Sequence, residues 1–371
     1  MTESGDNTAA AVVTRDLDAI CDGLHAELDA LSGARLLVIG GAGFLGHYLV
    51  QAAVHANGRL AKPIDLHVYD NYIRGVPTWL QQLEGTASVT IRRHDVVDPI
   101  PVDAGQFDYV VHAASIASPT YYRKFPIETM DANVTGLRNV LDYACSPTGS
   151  SVRSILYFST SEIYGDPDAA NIPTRETYRG LVSSTGPRSC YDESKRYGET
   201  LCVNFARQRS VPVTMARPFN NYGPGLKLTD RRVLPDLVRD ALAGRDMVLL
   251  SDGRPTRTFC YVADAIVGYY KVLLRGRPGE PYNIGIEDPE ISMRELAELV
   301  AEAGRDILGY TGRVVVAESA EEDYLTDNPN RRCPDISKAR EELDFAPKVA
   351  LADGIRRSLL WYRENYHGED A

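Results

Sequence analysis

The stretch that decides the fold reads Arg35-Leu-Leu-Val-Ile-Gly-Gly-Ala-Gly-Phe-Leu-Gly46. A short apolar run enters this glycine-rich turn, and a helical pattern follows from His47 to Ala56. Strand, glycine turn and helix in that order predict a dinucleotide-binding unit, in which backbone N–H groups and a helix N-terminus meet a pyrophosphate. The turn residues that we expect to contact the ligand are Gly40, Gly43, Phe44, Leu45 and Gly46. A purely structural turn is the alternative.

Strand and helix patterns alternate downstream of the turn. Strands are predicted at residues 65–69, 89–92, 109–112, 154–159 and 213–216, and long helices at 127–144 and 191–208. This alternation predicts an α/β fold with a Rossmann-type, doubly wound parallel sheet. The regular alternation of strand and helix patterns ends after Arg217, where we expect a smaller C-terminal α/β substrate-binding portion.

The N-terminal segment precedes the predicted sheet. We expect disorder over residues 1–14, followed by an amphipathic helix that carries leucines from Leu17 to Leu31 and ends at Gly33. Such a helix either packs on the body of the protein or binds a partner.

Composition excludes several classes of function. A formal net charge of −11 over 371 residues argues against a nucleic-acid surface. No apolar run is long enough for a membrane span, and no signal peptide is indicated. The six cysteines are scattered without C-x-x-C pairing, which predicts reduced thiols in a cytoplasmic protein. The seven histidines show no ligand spacing, so we predict no metal site.

Carboxylates at two strand ends predict the cofactor. Asp70 ends the second strand, where it can bind both ribose hydroxyls and repel a 2′-phosphate, which favours NAD over NADP. Asp95 follows the third strand and either accepts from the adenine amino group or caps a helix. Neighbouring residues complete the predicted cofactor site: Asn71, Val96, Ala113 and Ala114.

The stretch Tyr191-Asp-Glu-Ser-Lys195 is the candidate for chemistry. A tyrosine four residues before a lysine places both side chains on one helix face, and an ammonium group beside a phenol favours the phenolate base. Thr160 and Ser161 end an earlier strand and either face the same site or cap the next turn. The predicted catalytic residues are Thr160, Ser161, Glu162, Tyr191 and Lys195.

Taken together, these motifs resemble those of the extended short-chain dehydrogenase/reductases that act on nucleotide sugars, from about Leu36 to Tyr362. Within that group the chain is similar to the UDP-glucuronate decarboxylases. The stretches that carry this likeness are Arg93-His-Asp-Val-Val97, Ala117-Ser-Pro-Thr-Tyr-Tyr122, Ser159-Thr-Ser-Glu-Ile-Tyr-Gly-Asp-Pro167, Arg188-Ser-Cys-Tyr-Asp-Glu-Ser-Lys-Arg196 and Asp327-Asn-Pro-Asn-Arg-Arg-Cys-Pro-Asp335.

The resemblance implies a reaction cycle and a division of the chain. Tyr191 takes the proton from the sugar 4-hydroxyl while hydride passes to NAD, Lys195 lowers the tyrosine pKa, and Thr160 hydrogen-bonds the reacting oxygen. The resulting 4-keto group allows carbon dioxide to leave, and return of the hydride gives UDP-xylose. Residues 1–33 are then an N-terminal extension, 34–216 mainly the NAD-binding Rossmann domain, and 217–371 mainly the nucleotide-sugar-binding portion.

Ser161 discriminates between related reactions. Nucleotide-sugar 4,6-dehydratases carry an aspartate at this position, which protonates the leaving 6-hydroxyl, and serine is a poor general acid. We therefore favour decarboxylation over a 4,6-dehydratase, a 4-epimerase or a non-catalytic NAD-binding regulator. Glu162 is expected either to position the sugar or to handle a proton near C5.

Several arginines match positions where relatives bind the substrate diphosphate, and each is alternatively a surface charge. Arg188 either faces the C5 carboxylate or solvent, and Tyr122 is expected to shape the pocket wall. The predicted substrate-binding residues are Ser118, Tyr122, Arg188, Asn220, Arg232, Arg257, Arg331 and Arg332.

The chain departs from the decarboxylases after Gly223-Pro224, in the segment Gly225-Leu-Lys-Leu-Thr-Asp-Arg-Arg-Val233, which leaves the base and the sugar open. The resemblance also implies a homodimer, in which the helices at 127–144 and 191–208 form a four-helix bundle with those of the partner. The expected ligand is a UDP-sugar.

Overall fold

The computed structural model describes residues 7–317, residue 326 and residues 328–366. Residues 1–6 of the predicted disordered segment and Asp327 of the quoted motif lie outside the described residues. The helices are α1 (Ala9–Gly23), α2 (Leu28–Leu31), α3 (Phe44–Ala56), α4 (Thr78–Gln81), α5 (Pro119–Lys124), α6 (Pro126–Cys145), α7 (Ser189–Arg209), α8 (Val233–Leu242), α9 (Val262–Arg275), α10 (Met293–Leu308), α11 (Ser337–Leu343) and α12 (Leu351–Asn365).

The longer strands are β1 (Arg35–Ile39), β2 (Asp65–Asp70), β3 (Val89–Arg93), β4 (Tyr109–His112), β5 (Ser154–Phe158) and β6 (Val213–Pro218). Shorter strands follow as β7 (Asn221–Tyr222), β8 (Met247–Leu249), β9 (Thr256–Arg257), β10 (Cys260–Tyr261), β11 (Pro281–Ile284), β12 (Ile291–Ser292), β13 (Val314–Val316) and β14 (Arg331–Arg332).

Seven parallel strands form the central sheet in the order β11-β6-β5-β4-β1-β2-β3. The strand order reverses between β1 and β4, which is the switch point where open α/β sheets bind ligands. This arrangement confirms the predicted Rossmann-type, doubly wound fold. Because β11 belongs to this sheet, residues on both sides of position 216 contribute to it. The remaining strands form small sheets in the C-terminal portion.

The first helix begins closer to the N-terminus than the composition of the N-terminal segment indicates. Helix α1 begins at Ala9, and the Thr8 hydroxyl caps it by accepting from the Ala11 N–H at 3.1 Å, so the prediction of disorder is wrong for residues 9–14. The predicted single helix is also wrong, since the chain turns after Gly23 and resumes a helix only in α2. Helix α1 packs on the body, against α3, α9 and α12.

A buried carboxylate anchors α1 to both halves of the molecule. Asp16 is fully buried and accepts from the hydroxyls of Tyr48 on α3 at 3.1 Å and Tyr261 on β10 at 2.6 Å. Arg357 on α12 donates to its other oxygen at 3.0 Å. Buried charge of this kind is tolerated only when it is paired and hydrogen-bonded, so the network fixes the position of α1.

Candidate active site

A cavity of about 730 Å³ opens at the carboxyl end of the parallel sheet. It is lined by the glycine turn, the ends of β4 and β5, the start of α7 and loops of the C-terminal portion. The parallel sheet therefore brings motifs that are distant in the sequence to one edge. The predicted residues in its wall are Gly40, Gly43, Phe44, Leu45, Gly46, Ala113, Ser118, Tyr122, Thr160, Ser161, Glu162, Arg188, Tyr191, Lys195, Asn220, Arg232, Arg257 and Arg332.

The glycine turn leaves space for a ligand beside its backbone. A Cβ on Gly40 would lie 2.5 Å from the Ala114 nitrogen, and one on Gly46 would lie 2.3 Å from the Gly40 oxygen. A Cβ on Gly43 would meet only the Gly40 oxygen, at 3.4 Å, and would otherwise occupy the cavity that Gly43 lines. Gly43 is also the N-cap of α3, and no side chain caps that helix. This open helix N-terminus fits the pyrophosphate of a dinucleotide.

Asp70 lies at the glycine turn. Its two carboxylate oxygens accept from the backbone N–H of Ala42 at 3.0 Å and of Tyr72 at 2.7 Å, and burial raises its pKa. A smaller cavity of about 480 Å³ is lined by Asn71 and Asp95, whose side chains are joined by a 3.0 Å hydrogen bond. The carboxylates of Asp70, at the end of β2, and Asp95, just after β3, are the acceptors expected for the adenosine half of a dinucleotide.

The tyrosine and lysine of the predicted pair both face the large cavity from α7. Thr160, at the end of β5, hydrogen-bonds the Tyr191 side chain. The Lys195 ammonium donates to the Phe158 carbonyl oxygen at 2.6 Å and lies 5.9 Å from the centre of the Tyr191 ring. Burial lowers the pKa of Lys195 to about 7. The spacing prediction of a shared helix face is therefore confirmed.

The expected effect of Lys195 on the pKa of the tyrosine stays a prediction. Burial raises the pKa of Tyr191 to about 12, and the opposing influences are the Thr160 hydrogen bond and the nearby Arg232 guanidinium. The Lys195 ammonium is directed to a carbonyl oxygen, and burial disfavours its charged form.

Hydroxyl groups near Tyr191 have unused hydrogen-bonding capacity. Tyr122 stacks on Tyr191 with ring centres 5.1 Å apart and an interplanar angle of 11°, and its hydroxyl is buried without a protein partner. The buried Ser159 hydroxyl also has no partner. Ser161 is buried beside them and lines the same cavity. Buried polar groups that lack protein partners in a cavity indicate a polar ligand.

Glu162 lies between two guanidinium groups. Arg332 donates to both of its carboxylate oxygens, and Arg188 donates to one of them. Although burial acts in the opposite direction, these cations hold the pKa of Glu162 well below its usual range. The carboxylate is therefore ionised, which favours the positioning role of Glu162 over the proton-handling role. Arg188 is not the surface charge of the alternative interpretation, because its side chain is largely buried.

The other predicted substrate residues surround this cluster. Arg257 donates to the Asn330 carbonyl oxygen at 3.1 Å, and burial together with the nearby Arg332 lowers its pKa to about 9. Arg232 donates to the Ala117 carbonyl oxygen at 3.0 Å, and Asn220 donates to that of Thr258 at 2.9 Å. Several cations thus face one cavity of an acidic protein, which suits an anionic ligand.

Six predicted residues do not line the large cavity, and two of these, Asn71 and Asp95, line the smaller one. Asp70 lies behind the glycine turn as described. The backbone of Ala114 lies so close to Gly40 that it leaves no room for a side chain there. Val96 contacts Gly136 of α6, and Arg331 forms an ion pair with Glu290 at the surface. Of the two adjacent arginines on β14, only Arg332 reaches the cavity, because alternate residues of a strand point to opposite sides.

Several residues of the cavity wall were not among the predicted site residues. Ser115 and Thr120 follow β4 at the switch point, and each has a buried hydroxyl without a protein partner. Arg74 and Asp230 lie in loops that are far apart in the sequence and form an ion pair at 3.0 Å. The position of Ser115 after β4 was a usable signal, whereas nothing in the sequence indicated the pairing of Arg74 with Asp230.

The strand order, the glycine turn and the Tyr191–Lys195 pair define an enzyme of the extended short-chain dehydrogenase/reductase class. The sequence profile of the NAD dependent epimerase/dehydratase family matches residues 36–285, and the chain belongs to that family.

Similar proteins include enzymes that act on nucleotide sugars. UDP-glucuronic acid decarboxylase 1 of Arabidopsis thaliana is 38% identical over 339 residues, which span 91% of this chain and 71% of the relative. A dTDP-glucose 4,6-dehydratase of Streptomyces venezuelae, solved with NAD, gives a TM-score of 0.74 at 27% identity, covering 89% of this chain and 97% of its own. A UDP-glucuronic acid 4-epimerase of Bacillus cereus, solved with NAD and a fluorinated UDP-glucuronic acid analogue, gives a TM-score of 0.72 at 25% identity, covering 90% and 100%.

Within the described ranges, no group of three or more His, Cys, Asp or Glu side chains is placed to hold a metal ion. Among the helices described, none is both long and apolar enough to cross a membrane.

Proposed function

We propose that this enzyme decarboxylates UDP-glucuronate to UDP-xylose, with NAD bound at the glycine turn. The observation that carries the proposal is the cluster of Glu162, Arg188 and Arg332 in the same cavity as the Tyr191–Thr160 pair. One end of the cavity can then deprotonate a sugar hydroxyl while the other holds a carboxylate.

The open turn at Gly43 and the acceptors Asp70 and Asp95 fit the cofactor. Bound NAD would supply the hydride acceptor for the C4 hydrogen, the donor for its return, and a positive ring charge near the phenol. Lys195 would hold the ribose of that cofactor. The division into a mainly NAD-binding part, residues 34–216, and a mainly nucleotide-sugar-binding part, residues 217–371, belongs to this proposal.

Tyr191 is the general base for the sugar 4-hydroxyl, and Thr160 holds the oxygen from which the proton leaves. The hydrogen bond between them supports this assignment, since a base must lie within hydrogen-bonding reach of the proton that it removes. Stacking on Tyr122 fixes the orientation of the phenol ring. The protonated Tyr191 later returns the proton to the 4-oxygen when the ketone is reduced.

Once C4 is a ketone, the carboxylate on C5 is that of a β-keto acid. The bond between C5 and the carboxyl carbon breaks, its electron pair becomes an enolate, and a proton then adds at C5. Glu162 already neutralises part of the charge of Arg188 and Arg332. The cluster therefore keeps about one net positive charge, which can hold the sugar carboxylate without the full attraction of two unpaired guanidinium groups, so departure as neutral carbon dioxide is not strongly opposed.

A substrate panel tests the proposal. Purified enzyme with NAD is incubated separately with UDP-glucuronate, UDP-glucose and dTDP-glucose, and the products are identified by mass. We expect a UDP-pentose from UDP-glucuronate and no product from UDP-glucose or dTDP-glucose. Loss of water from a hexose, or isomerisation of UDP-glucuronate without loss of mass, would instead indicate a dehydratase or a 4-epimerase.

We further propose a homodimer built on α6 and α7. These helices pack against each other, and each presents a large exposed apolar side chain, Ile127 at 60% and Tyr197 at 52% exposure. Light scattering should give twice the monomer mass, and Tyr197→Glu should shift it towards the monomer. A monomeric wild type across micromolar concentrations would refute the dimer.

A cytoplasmic location is also proposed. All six cysteines lie in the described part of the chain, and all are free thiols. Free cysteines are typical of reducing compartments. Cell fractionation checks this proposal, and recovery of the enzyme from a secreted or periplasmic fraction would contradict it.

A further inference from the structure

Two loops that flank the large cavity are joined by one ion pair. Arg74 lies in the loop after β2, and Asp230 lies in the segment that departs from the decarboxylase pattern, just before α8. The Arg74 Nη2 donates to Asp230 Oδ1 at 3.0 Å and to Thr229 Oγ1 at 3.5 Å. Both side chains of the pair line the cavity, and they are 30% and 11% exposed.

Further contacts fix each side of this pair. The Arg74 guanidinium lies 4.0 Å above the Tyr121 ring of α5, and Lys227 donates to the Arg74 carbonyl oxygen at 2.6 Å. The Asp230 carbonyl oxygen accepts from the Ser118 hydroxyl at 3.0 Å. The ion pair is therefore part of a connection among three segments: the loop after β2, the start of α5 and the segment before α8.

The loop that carries Arg74 lines both cavities. Asn71, Tyr72 and Ile73 line the smaller cavity, and Arg74 lines the larger one. Ile73 is an apolar side chain with 56% exposure, which would be covered by a flat apolar ligand group. A ligand that occupied both cavities would therefore contact this loop on each side.

We propose that Arg74 and Asp230 form a latch that retains NAD through turnover. The inference rests on the proposed function for the identity of the cofactor and for the return of the hydride. Retention matters for an enzyme that returns the hydride it removes, because loss of the reduced cofactor in mid-cycle would leave the sugar oxidised. The latch holds the loop after β2 against the segment before α8, and opening it breaks a partly buried ion pair and a cation–π contact.

The latch is tested by the release of NAD in the absence of sugar. Enzyme loaded with radiolabelled NAD is chased with excess unlabelled NAD, and the dissociation rate constant is measured for the wild type, Arg74→Gln, Asp230→Asn and the double variant. We expect each single substitution to raise the rate about tenfold, and the double variant to add no more than about twofold to the larger single effect. Arg356→Gln, which removes an exposed ion pair with Asp306, is the matched control and should match the wild type.

Rates within about twofold of the wild type for both single variants, or effects that multiply in the double variant, would overturn the latch. Failure of the wild type to retain labelled NAD would also overturn it. If Arg74→Gln does not fold, Asp230→Asn carries the test alone, because it preserves side-chain size. Decarboxylation is assayed separately. Decarboxylation with no effect of the two substitutions on NAD release would refute only the latch, whereas the expected effects on NAD release without decarboxylation would refute only the proposed function.

Discussion

Glu162 and Arg332 form a two-fold hydrogen-bonded ion pair in the cavity wall, although they are 170 residues apart in the chain. Arg188, three residues before the candidate base Tyr191, donates to the same carboxylate. The pair therefore links β14 in the C-terminal portion to the carboxyl end of β5 in the large sheet. A charge cluster that joins these two parts is expected to influence both folding and catalysis.

Glu162→Gln should lower the free energy of unfolding by about 3 kcal/mol at neutral pH, because it leaves two largely buried guanidinium groups without their carboxylate. Urea unfolding measures the change. Asp306→Asn, which removes an exposed ion pair with Arg356, is the control and should cost no more than about 1 kcal/mol.

The pH dependence of this difference follows from the lowered pKa of Glu162. A carboxyl group with a folded pKa below its unfolded value stabilises the protein above the unfolded pKa, and this contribution is lost as pH falls. The gap between the wild type and Glu162→Gln should therefore narrow below about pH 4.5. A gap that is independent of pH would show that the ionised carboxylate is not its source.

Ser161→Asp should reduce decarboxylation at least about tenfold. The new carboxylate would be buried next to the ionised Glu162, where like charge disturbs the arginine cluster. Carbon dioxide release measures the effect. Ser161→Asn has a similar size without the charge and should lose less activity. An unchanged rate in Ser161→Asp would show that Ser161 does not determine the reaction.

Asp16→Asn should destabilise the enzyme by about 3 kcal/mol, because Asp16 is fully buried against Arg357 and two tyrosine hydroxyls. Asp18→Asn on the same helix is the control. Asp18 pairs with Arg59 and His55 at the surface, so its loss should cost about 1 kcal/mol or less. Equal effects in thermal unfolding would show that the buried network does not anchor α1.

Local motifs were predictable from the sequence. The glycine turn and the Tyr191–Lys195 pair depend on spacings of a few residues, so the strand–turn–helix and the shared helix face follow from short stretches. Helix α9 was missed because it is buried on nearly every face, and a largely apolar run of this kind is difficult to distinguish from a buried strand by its sequence pattern. The start of α1 at Ala9 was missed because an alanine-rich segment gives little pattern before the Thr8 cap is known.

Contacts between distant segments were not predictable in the same way. Placement of Arg332 in the cavity and of Arg331 at the surface depends on the orientation of β14, which no local pattern encodes. The pKa of Tyr191 depends on burial that only the folded chain provides. The Arg74–Asp230 pair joins two loops 156 residues apart.

The fate of the sugar carboxylate distinguishes decarboxylation from the related reactions. UDP-glucuronate labelled with carbon-13 at the carboxyl carbon is incubated with the enzyme, and labelled carbon dioxide, UDP-pentose and NADH are measured. We expect equal amounts of labelled carbon dioxide and UDP-xylose with no net NADH. In Tyr191→Phe we expect the rate to fall at least about a thousandfold while NAD stays bound. Product that retains the label, or full activity in Tyr191→Phe, would contradict the proposed mechanism.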